Sequence, residues 1–431
     1  MKQEIDIVWL RRDLRLKDNK ALSEALKNGR SIIIIFIFDI NIIDELNIDD
    51  ARISFIYKTL QKLNKKLHEH KSSLLILKGD PLEIFKKLNL DYTINSVFWN
   101  KDYEPYANLR DNEVSSYFSE NNVNTYSFKD HVVFEENDIL KDDGKPYAIF
   151  TPYSKKWKKA LTKSLVSEIP CDISEANLLP CKFHFPTIEE LGFKTSLIEV
   201  PAYSLDNLEN YNEWRDIPSK KGTSKLSVHL RFGTVSPRKM VSNALKIGEQ
   251  FLNELIWREF FLQIMWHFPN SAIENFKSKY NNIDWRNREG EFEKWCSGNT
   301  GYPIVDAGMR ELNTTGLMHN RVRMITASFL CKHLLIDWRW GEAYFAEKLL
   351  DYDLALNVGN WQWVAGTGCD SAPYFRVFNP TAQTERFDSN LEYIKKWVPE
   401  FMELDYCQPM VEHKFARNRA LETYKKGLAE L

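Results

Sequence analysis

Between Asn357 and Gly368 the chain reads NVGNWQWVAGTG, with Trp361 and Trp363 one residue apart and Asp351 and Asp353 just upstream. An indole beside a redox cofactor can carry an electron. It can equally fill a core, since Trp supplies a large apolar area. A second stretch, Gly222-Thr223-Ser224-Lys225-Leu226-Ser227, brings hydroxyls and backbone N–H groups to a helix entrance. Such a turn can hold a phosphate without a Walker motif, or it can be a plain N-cap. In NELIWREF, Glu254, Trp257 and Arg258 fall at i, i+3 and i+4, so a helix would put them on one face. A carboxylate, an indole and a guanidinium there could hydrogen-bond a base, stack on it and neutralise a phosphate. An amphipathic helix with an internal Glu254–Arg258 pair fits the same letters. In HNRVRM, Asn320 and Met324 share a helical face, and Arg323 points where a carboxylate such as Asp351 could pair with it. No Ser-His-Asp order, metal-spaced His/Cys cluster or kinase-type glycine loop accompanies these stretches. No metal site is expected, and hard chemistry would fall to a cofactor.

Elements must position these groups. From Ile5 to about Phe134, the runs IDIVWL, SIIIIFIF, SLLIL and INSVFW read as buried parallel strands. Between them, DNKALSEALKNG, RISFIYKTLQKLNKKLHEH and PLEIFKKLNL have helical spacing. This predicts an α/β domain with a doubly wound parallel sheet over residues 1–134. It carries no GxGxxG. Residues 135–204 are punctuated by proline and predict a connector with one helix near Tyr153 to Ser167. From 205 to 431 the spacing of FLNELIWREFFLQIMWHF and NRVRMITASFLCKHLLIDW predicts a mostly α-helical C-terminal domain.

Length and composition agree with two domains: 431 residues exceed one compact core, and 43% hydrophobic with 27% charged residues is an ordinary globular balance. The net charge of −2 excludes a globally basic nucleic-acid binder but leaves room for a local basic face. Six cysteines without a CxxC pair predict no disulfide framework and suit a reducing cytosol. The longest apolar run, Ile32 to Phe38, is too short to span a bilayer. Arg11, Arg12 and Asp13 directly after the first apolar stretch argue against a signal peptide. A cytoplasmic protein is expected.

Longer strings carry a family likeness. VWLRRDLRLKDN, YAIFTPYSKKWKK, GTSKLS, LRFGTVSPR, NELIWREFF, GYPIVDAGMRELNTTGLMHNRVRMITASFL, DYDLALNVGNWQW, APYFRVFNPTAQTERFD and QPMVEHKFAR run in family order from residue 8 to about 417. The chain resembles photolyases and cryptochromes, and among them the bacterial enzymes that repair cyclobutane pyrimidine dimers. The resemblance implies an FAD held in the helical domain. Tyr211, Thr223, Ser224, Lys225, Leu226, Ser227 and Phe251 would bind it, Arg323 and Asp351 would pair beside the isoalloxazine, Asp353 would lie near the adenine-side sugar, and Asn357 would face flavin N5. It also implies an electron path through Trp361, Trp338 and Trp285. Arg215, Glu254, Trp257, Arg258, Asn320, Arg321, Met324, Trp363 and Gln383 would contact lesion-bearing DNA, with Glu254 acting in the repair itself.

Several positions refine the resemblance. MHNRVRM matches the dimer-repair type, and Asn357 stands where plant cryptochromes carry Asp. The chain stops soon after its last helix, without a signalling tail. Phe251 and Leu317 stand where tryptophan is common, and Asn360 where glycine is common. YEPYANLRD lacks the Asn-Glu pair of folate-antenna members, which leaves a second chromophore open among folate, a flavin, a deazaflavin and none. The expectation is a monomeric lyase using reduced FAD and light to repair flipped-out pyrimidine dimers in DNA. It needs no membrane and no obligate protein partner. The alternative is a cryptochrome-type blue-light receptor without repair activity.

Overall fold

The computed structural model describes residues 2–174, 177–206 and 208–429. By internal contacts the chain forms two compact units that interleave along the sequence. Met1–Leu140, Lys155–Pro201 and Leu226–Glu259 make the first, and Lys141–Ser154, Ala202–Lys225 and Phe260–Leu431 the second.

The first unit is built on a five-stranded parallel sheet of order β3-β2-β1-β4-β5. β1 (Glu4–Leu10) and β2 (Ile32–Asp39) are buried on both faces, which is why they read as unbroken apolar runs. β3 (Leu75–Gly79) and β4 (Thr93–Asn100) complete the four strands anticipated from sequence. The fifth, β5 (Asn124–Phe128), was not anticipated. Its letters NTYSF alternate polar groups along a half-exposed edge, so they carry no buried-strand signature. Alternate residues feed two cores. Val8, Ile34, Phe36 and Phe98 pack with Leu60 and Leu22 on one face, and Ile7, Trp9, Ile35 and Val97 with Phe85 and Phe118 on the other. The intervening helices start on side-chain caps: Asn19, Asp50 and Asp80 accept from the N–H groups of Leu22, Arg52 and Glu83.

The helix expected near Tyr153 to Ser167 runs Phe150–Ala160 and is followed by a short 3-10 turn, Lys163–Val166. The second unit is helical, as its spacing indicated. The helices Pro303–Thr315, Asn320–Ser328, Trp338–Lys348, Leu354–Ala365 and Pro380–Phe387 lead to a last helix, His413–Ala429. His319, Asp337, Asp353 and Asn379 cap four of them, and Gly316 and Gly366 close two in the left-handed conformation that glycine tolerates. Among the described residues no helix is long and apolar enough to cross a membrane.

The first unit also buries a charged knot. Asp130, 1% exposed, is gripped by Arg15 and by Arg238, whose Nη2 lies 2.6 Å from its carboxylate; Arg238 reaches Asp18 at 2.8 Å with Nε. Removing one member of such a set leaves the others charged and dry. Asp130→Ala is therefore expected to destabilise the first unit by about 3–5 kcal/mol. Urea unfolding followed by tyrosine and tryptophan fluorescence would show it as a lowered midpoint; a midpoint equal to the parent's would refute the reading.

Candidate functional site

The Trp361–Trp363 pair sits on the helix Leu354–Ala365. Two residues are about 200° of helical rotation, so the indoles leave opposite sides. Trp361 is 2% exposed, whereas Trp363 is half-buried. The helix Trp338–Lys348 passes Trp361 at Gly341, where a Cβ would come 2.1 Å from the indole's Cη2. Trp338 is three residues before Gly341 on the same helical face, fully buried, and its Nε1 donates to Asn275 Oδ1 at 2.8 Å. Trp285 is half-buried, and its neighbours tie it to the segment that leads into Trp338. Arg286 N donates to Leu335 O at 2.8 Å, and Asn287 Oδ1 accepts from Asp337 N at 2.8 Å. The three indoles thus ride on segments bonded to one another, from a dry interior to a partly wet edge.

The same two helices hold Asn357. Its Nδ2 donates to the backbone carbonyl of Glu342 at 3.0 Å and to the Glu342 carboxyl at 2.9 Å. A carbonyl can only accept, so the amide's nitrogen is fixed inward and Oδ1 is left to present. Burial raises the Glu342 carboxyl above its ordinary range. Nothing marked Glu342 beforehand, since a carboxylate in WGEAYF reads as a solvated helix face. Asp353 caps the helix that carries Asn357. Arg323, on the neighbouring helix, pairs with Asp351 at 2.9 and 3.1 Å and donates through Nε to Met318 O at 2.8 Å.

Arg321 is oriented on three sides. Nη2 donates to Asp216 at 2.9 Å, the guanidinium lies 4.3 Å from the Phe387 ring centroid, and Nη1 approaches Met324 Sδ at 3.7 Å. Asn320 is exposed beside it. His319 caps the helix by accepting the Arg321 N–H on Nδ1 at 3.2 Å, so the ring's remaining proton sits on Nε2. Burial, with help from Lys225, Arg323 and Arg321, pulls its pKa down to about 4. Arg215 lies 5.7 Å from the Tyr211 ring centroid. Gln383 Oε1 is enclosed without a hydrogen-bond partner among the described residues.

The turn at Gly222 is shaped by contact and by strain. A Cβ at Gly222 would meet Trp214 at 2.5 Å, and Lys225 is left-handed with φ of 55°. Leu226 takes the N-cap of the short helix Ser227–Arg231, and no side chain caps it. The hydroxyls of Thr223, Ser224 and Ser227 are thus not spent as caps. With the Lys225 ammonium they form a donor set suited to a diphosphate, so the residues present fit the FAD expected here.

On the first unit, Glu254 is half-buried and accepts from Gln250 Nε2 at 3.0 Å. Trp257 is half-buried and Phe251 is 4% exposed. Arg258 turns inward: it is 8% exposed and donates to His131 O at 2.8 Å, with Nη2 2.6 Å from His131 Nε2. Burial first, and then this guanidinium, drive the His131 pKa well below the imidazole range. Neither Gln250 nor His131 was legible beforehand, because each acts only through a partner that the fold supplies.

At the carboxyl ends of β1 and β4, where the strand order reverses and ligands of such sheets bind, Arg11, Arg12, Asp13, Asn100, Asp102 and His131 line a crevice of about 230 Å³. Arg12, one of the lining residues, pairs with Asp102 and with Glu104 at 2.9 Å.

Comparisons with known proteins point to one family. Residues 6–172 match the DNA photolyase family and residues 251–405 the FAD binding domain of DNA photolyase. The deoxyribodipyrimidine photo-lyase of Agrobacterium fabrum is 34% identical, with 97% of each chain covered. Among solved structures, an archaeal photolyase from Sulfolobus tokodaii with two FAD molecules superposes with a TM-score of 0.85 at 32% identity, covering 98% of this chain and 100% of its own. A cryptochrome from Synechocystis sp. superposes with a TM-score of 0.84 at 26% identity, covering 98% and 99%.

The neutral His319 has a consequence for acid stability. Its folded pKa lies below the unfolded value of about 6.5, so the unfolded state binds the extra proton first. Stability is fully present above pH 6.5 and falls as pH drops toward about 4. His319→Asn keeps a capping side chain and removes the titration. Thermal unfolding scanned from pH 7 to 4.5 should therefore lose less midpoint in the variant than in the parent; equal losses would exclude His319 as a source.

Proposed function

We infer that this chain, which belongs to the DNA photolyase family, repairs cyclobutane pyrimidine dimers in DNA by light-driven electron transfer to a flipped-out lesion. Lyase chemistry in DNA repair and an FAD cofactor come with that membership. The observation that carries the repair reading is the half-buried Glu254 carboxylate, steadied by Gln250, on the same helix as half-buried Trp257. The run of indoles from buried Trp361 through Trp338 to half-buried Trp285 supports light-driven electron transfer. A packing role alone gives no reason for that graded exposure.

Bound, reduced FAD supplies the photoexcited electron that splits the two bonds of the dimer and recovers it afterwards. The protein does the rest. Thr223, Ser224, Lys225, Leu226 and Ser227, with Tyr211 and Phe251, hold the cofactor. Asn357, its nitrogen engaged by Glu342, offers Oδ1 as an acceptor, and the Arg323–Asp351 pair sets a fixed dipole beside it. Extruding a base pair step costs about a few kcal/mol, least for damaged bases, and stacking on Trp257 returns about 1–3 kcal/mol per base. Glu254, steadied by Gln250, hydrogen-bonds the dimer's edge where charge develops. Asn320, Arg321, Met324, Trp363, Gln383 and Arg215 supply further contacts to lesion-bearing DNA. Arg258 serves by holding His131 and not by meeting phosphate, since its guanidinium is already engaged and buried.

The structural likeness to a cryptochrome supports a second reading, a blue-light receptor with the same FAD and indole path. Repair of a thymine-dimer oligonucleotide by the purified, reduced protein under near-UV or blue light separates the two. Turnover supports the lyase; FAD-loaded protein that leaves the dimer intact overturns it in favour of the receptor.

Two variants test the roles. Glu254→Gln should retain FAD and lower the repair yield by about tenfold, about 1.4 kcal/mol, the scale of one charge-assisted hydrogen bond. Unchanged repair would remove Glu254 from the chemistry. Trp285→Phe keeps most of the apolar volume but removes the oxidisable edge of the path. Light with an added thiol should then no longer accumulate reduced flavin, while chemically reduced protein repairs as the parent does. Normal photoreduction would take Trp285 out of the path.

A further inference from the structure

The segment Ser271 to Phe276 is tied down by the residues that follow two of the indoles in sequence. Gln362, 2% exposed and adjacent to Trp361, donates through Nε2 to Ser271 O at 2.8 Å and to Glu274 O at 2.9 Å. Its Oε1 accepts from Phe276 N at 2.8 Å. Arg339, adjacent to Trp338, donates through Nε to Ile273 O at 2.7 Å. Between these ties lies Asn275, 7% exposed, whose Oδ1 accepts the Trp338 indole N–H at 2.8 Å. An indole nitrogen only donates, so the amide's oxygen must face it. Nδ2 is turned the other way and donates to Asn281 Oδ1 at 2.9 Å.

A buried N–H needs some acceptor, but that need does not fix which one. In the first unit the Trp157 indole donates to the Glu259 carboxylate at 2.6 Å. Beside the electron path the acceptors are amide oxygens. Trp295, fully buried with its ring centroid 6.1 Å from that of Trp361, donates to Thr326 O at 3.0 Å, and Trp338 donates to Asn275. Asp337, next in sequence to Trp338, is committed elsewhere, pairing with the Arg339 guanidinium at 3.0 and 3.1 Å. That guanidinium lies 4.8 Å from the Trp338 ring centroid and has no acceptor atom to offer.

We propose that Asn275 is a positioning residue that keeps the indole proton on Trp338 while an electron hole passes, so that the path gives up its proton only at Trp285. The proposal rests on the electron path inferred under the proposed function. In the steps, Trp361, oxidised by photoexcited FAD, takes one electron from Trp338 and returns to neutral indole. Trp338 becomes an indolyl radical cation, takes one electron from Trp285 and returns to neutral indole with its N–H never broken. At half-buried Trp285 water can take the proton, leaving a neutral indolyl radical. An added thiol restores one electron and one proton and is left as a thiyl radical. An oxidised indole is a far stronger acid than the neutral ring, so a base within hydrogen-bond reach would take its proton. The neutral radical is the weaker oxidant, and the hole would stop at Trp338. An amide oxygen accepts the hydrogen bond but is no base near neutrality, so the hole moves on.

Transient absorption on FAD-loaded protein tests this, because the cationic and neutral indolyl radicals have distinct spectra. Trp285→Phe confines the hole to the inner indoles, and its flash spectrum should show the radical cation alone. Adding Asn275→Asp, at pH 8.5 where a carboxylate is ionised, supplies a base of similar shape. The cation should then give way to the neutral radical, which cannot recombine without recovering its proton. Accumulation of reduced flavin under light and thiol should rise by about tenfold or more over Trp285→Phe. Asn275→Thr in the same background offers a hydroxyl acceptor that is no base, so the cation should persist and photoreduction stay low. A neutral radical in Trp285→Phe itself overturns the proposal and leaves the electron path standing. So does a cation that persists with Asn275→Asp, and so does Asn275→Thr behaving as Asn275→Asp does, since loosened packing would then explain both. Absence of any indolyl signal overturns the electron path and the proposal together.

Discussion

A methyl group at position 341 would lie 2.1 Å from the indole of Trp361, and much of the helical unit depends on its absence. The close approach at Gly341 brings the helices Trp338–Lys348 and Leu354–Ala365 side by side. The next residue, Glu342, can then offer its carbonyl to Asn357 across the gap. Three residues earlier the same helix delivers Trp338. A second glycine does the same on another side of the Trp361 helix: a Cβ at Gly359 would meet Phe261 at 2.2 Å. Two missing methyl groups thus fix both the orientation of one amide and the spacing of two indoles. A helix interior surrenders about 1 kcal/mol for each glycine relative to alanine, and here the return is position.

Polar groups show a parallel economy. Two of the site's arginines are held by more than one partner. Arg321 has a carboxylate, a ring and a thioether; Arg323 has Asp351 and a backbone carbonyl. Each added partner removes rotamers that a long side chain would otherwise occupy, at up to about 2 kcal/mol of side-chain entropy. A ligand meeting these groups finds them already ordered, so less of its binding energy goes into arranging them.

How much of this could be read beforehand follows from what each feature depends on. Strands β1, β2 and β4 were legible because burial on both faces writes unbroken runs such as SIIIIFIF, and β3, at one edge, because its letters are apolar. β5 was not, since an edge strand with polar alternation looks like loop. The chemistry-bearing strings around Trp361, Glu254 and Arg323 were legible because chemistry constrains residue type. Glu342, Gln250, His131 and Asp216 were hidden for the opposite reason. Each is an ordinary polar letter whose meaning arises only when folding sets it against a particular partner. Arg258 is the clearest instance: its spacing on the helix put it beside Glu254 and Trp257, but the helix's packing turned its head inward to His131. Spacing fixes which face a side chain leaves from and says nothing of what that face meets.

Several titratable groups in the interior near the indole path are held uncharged. Burial raises the Glu342 carboxyl, and it holds the Cys331 thiol up and the His319 and His333 imidazoles down, so that the thiol and the two imidazoles rest in their neutral forms near pH 7. In a medium of low polarity a fixed charge acts over a long reach, because little solvent screens it. A stray carboxylate would trap an electron hole on the nearest indole, and a stray ammonium would repel it. Neutral side chains leave the oxidation of each ring to its own chemistry and contacts. Arg323, which is charged, is matched at 2.9 Å by Asp351, so its field falls off as a dipole's does. Lys332 stands apart from this pattern, being dry, pressed against Tyr424 and without a carboxylate partner among the described residues. Burial lowers its pKa to about 7. A group whose charge changes near neutrality is tolerable in such an interior at the outer end of the path, where Tyr424 packs on Trp285, because there it can influence how a hole leaves without disturbing how it arrives.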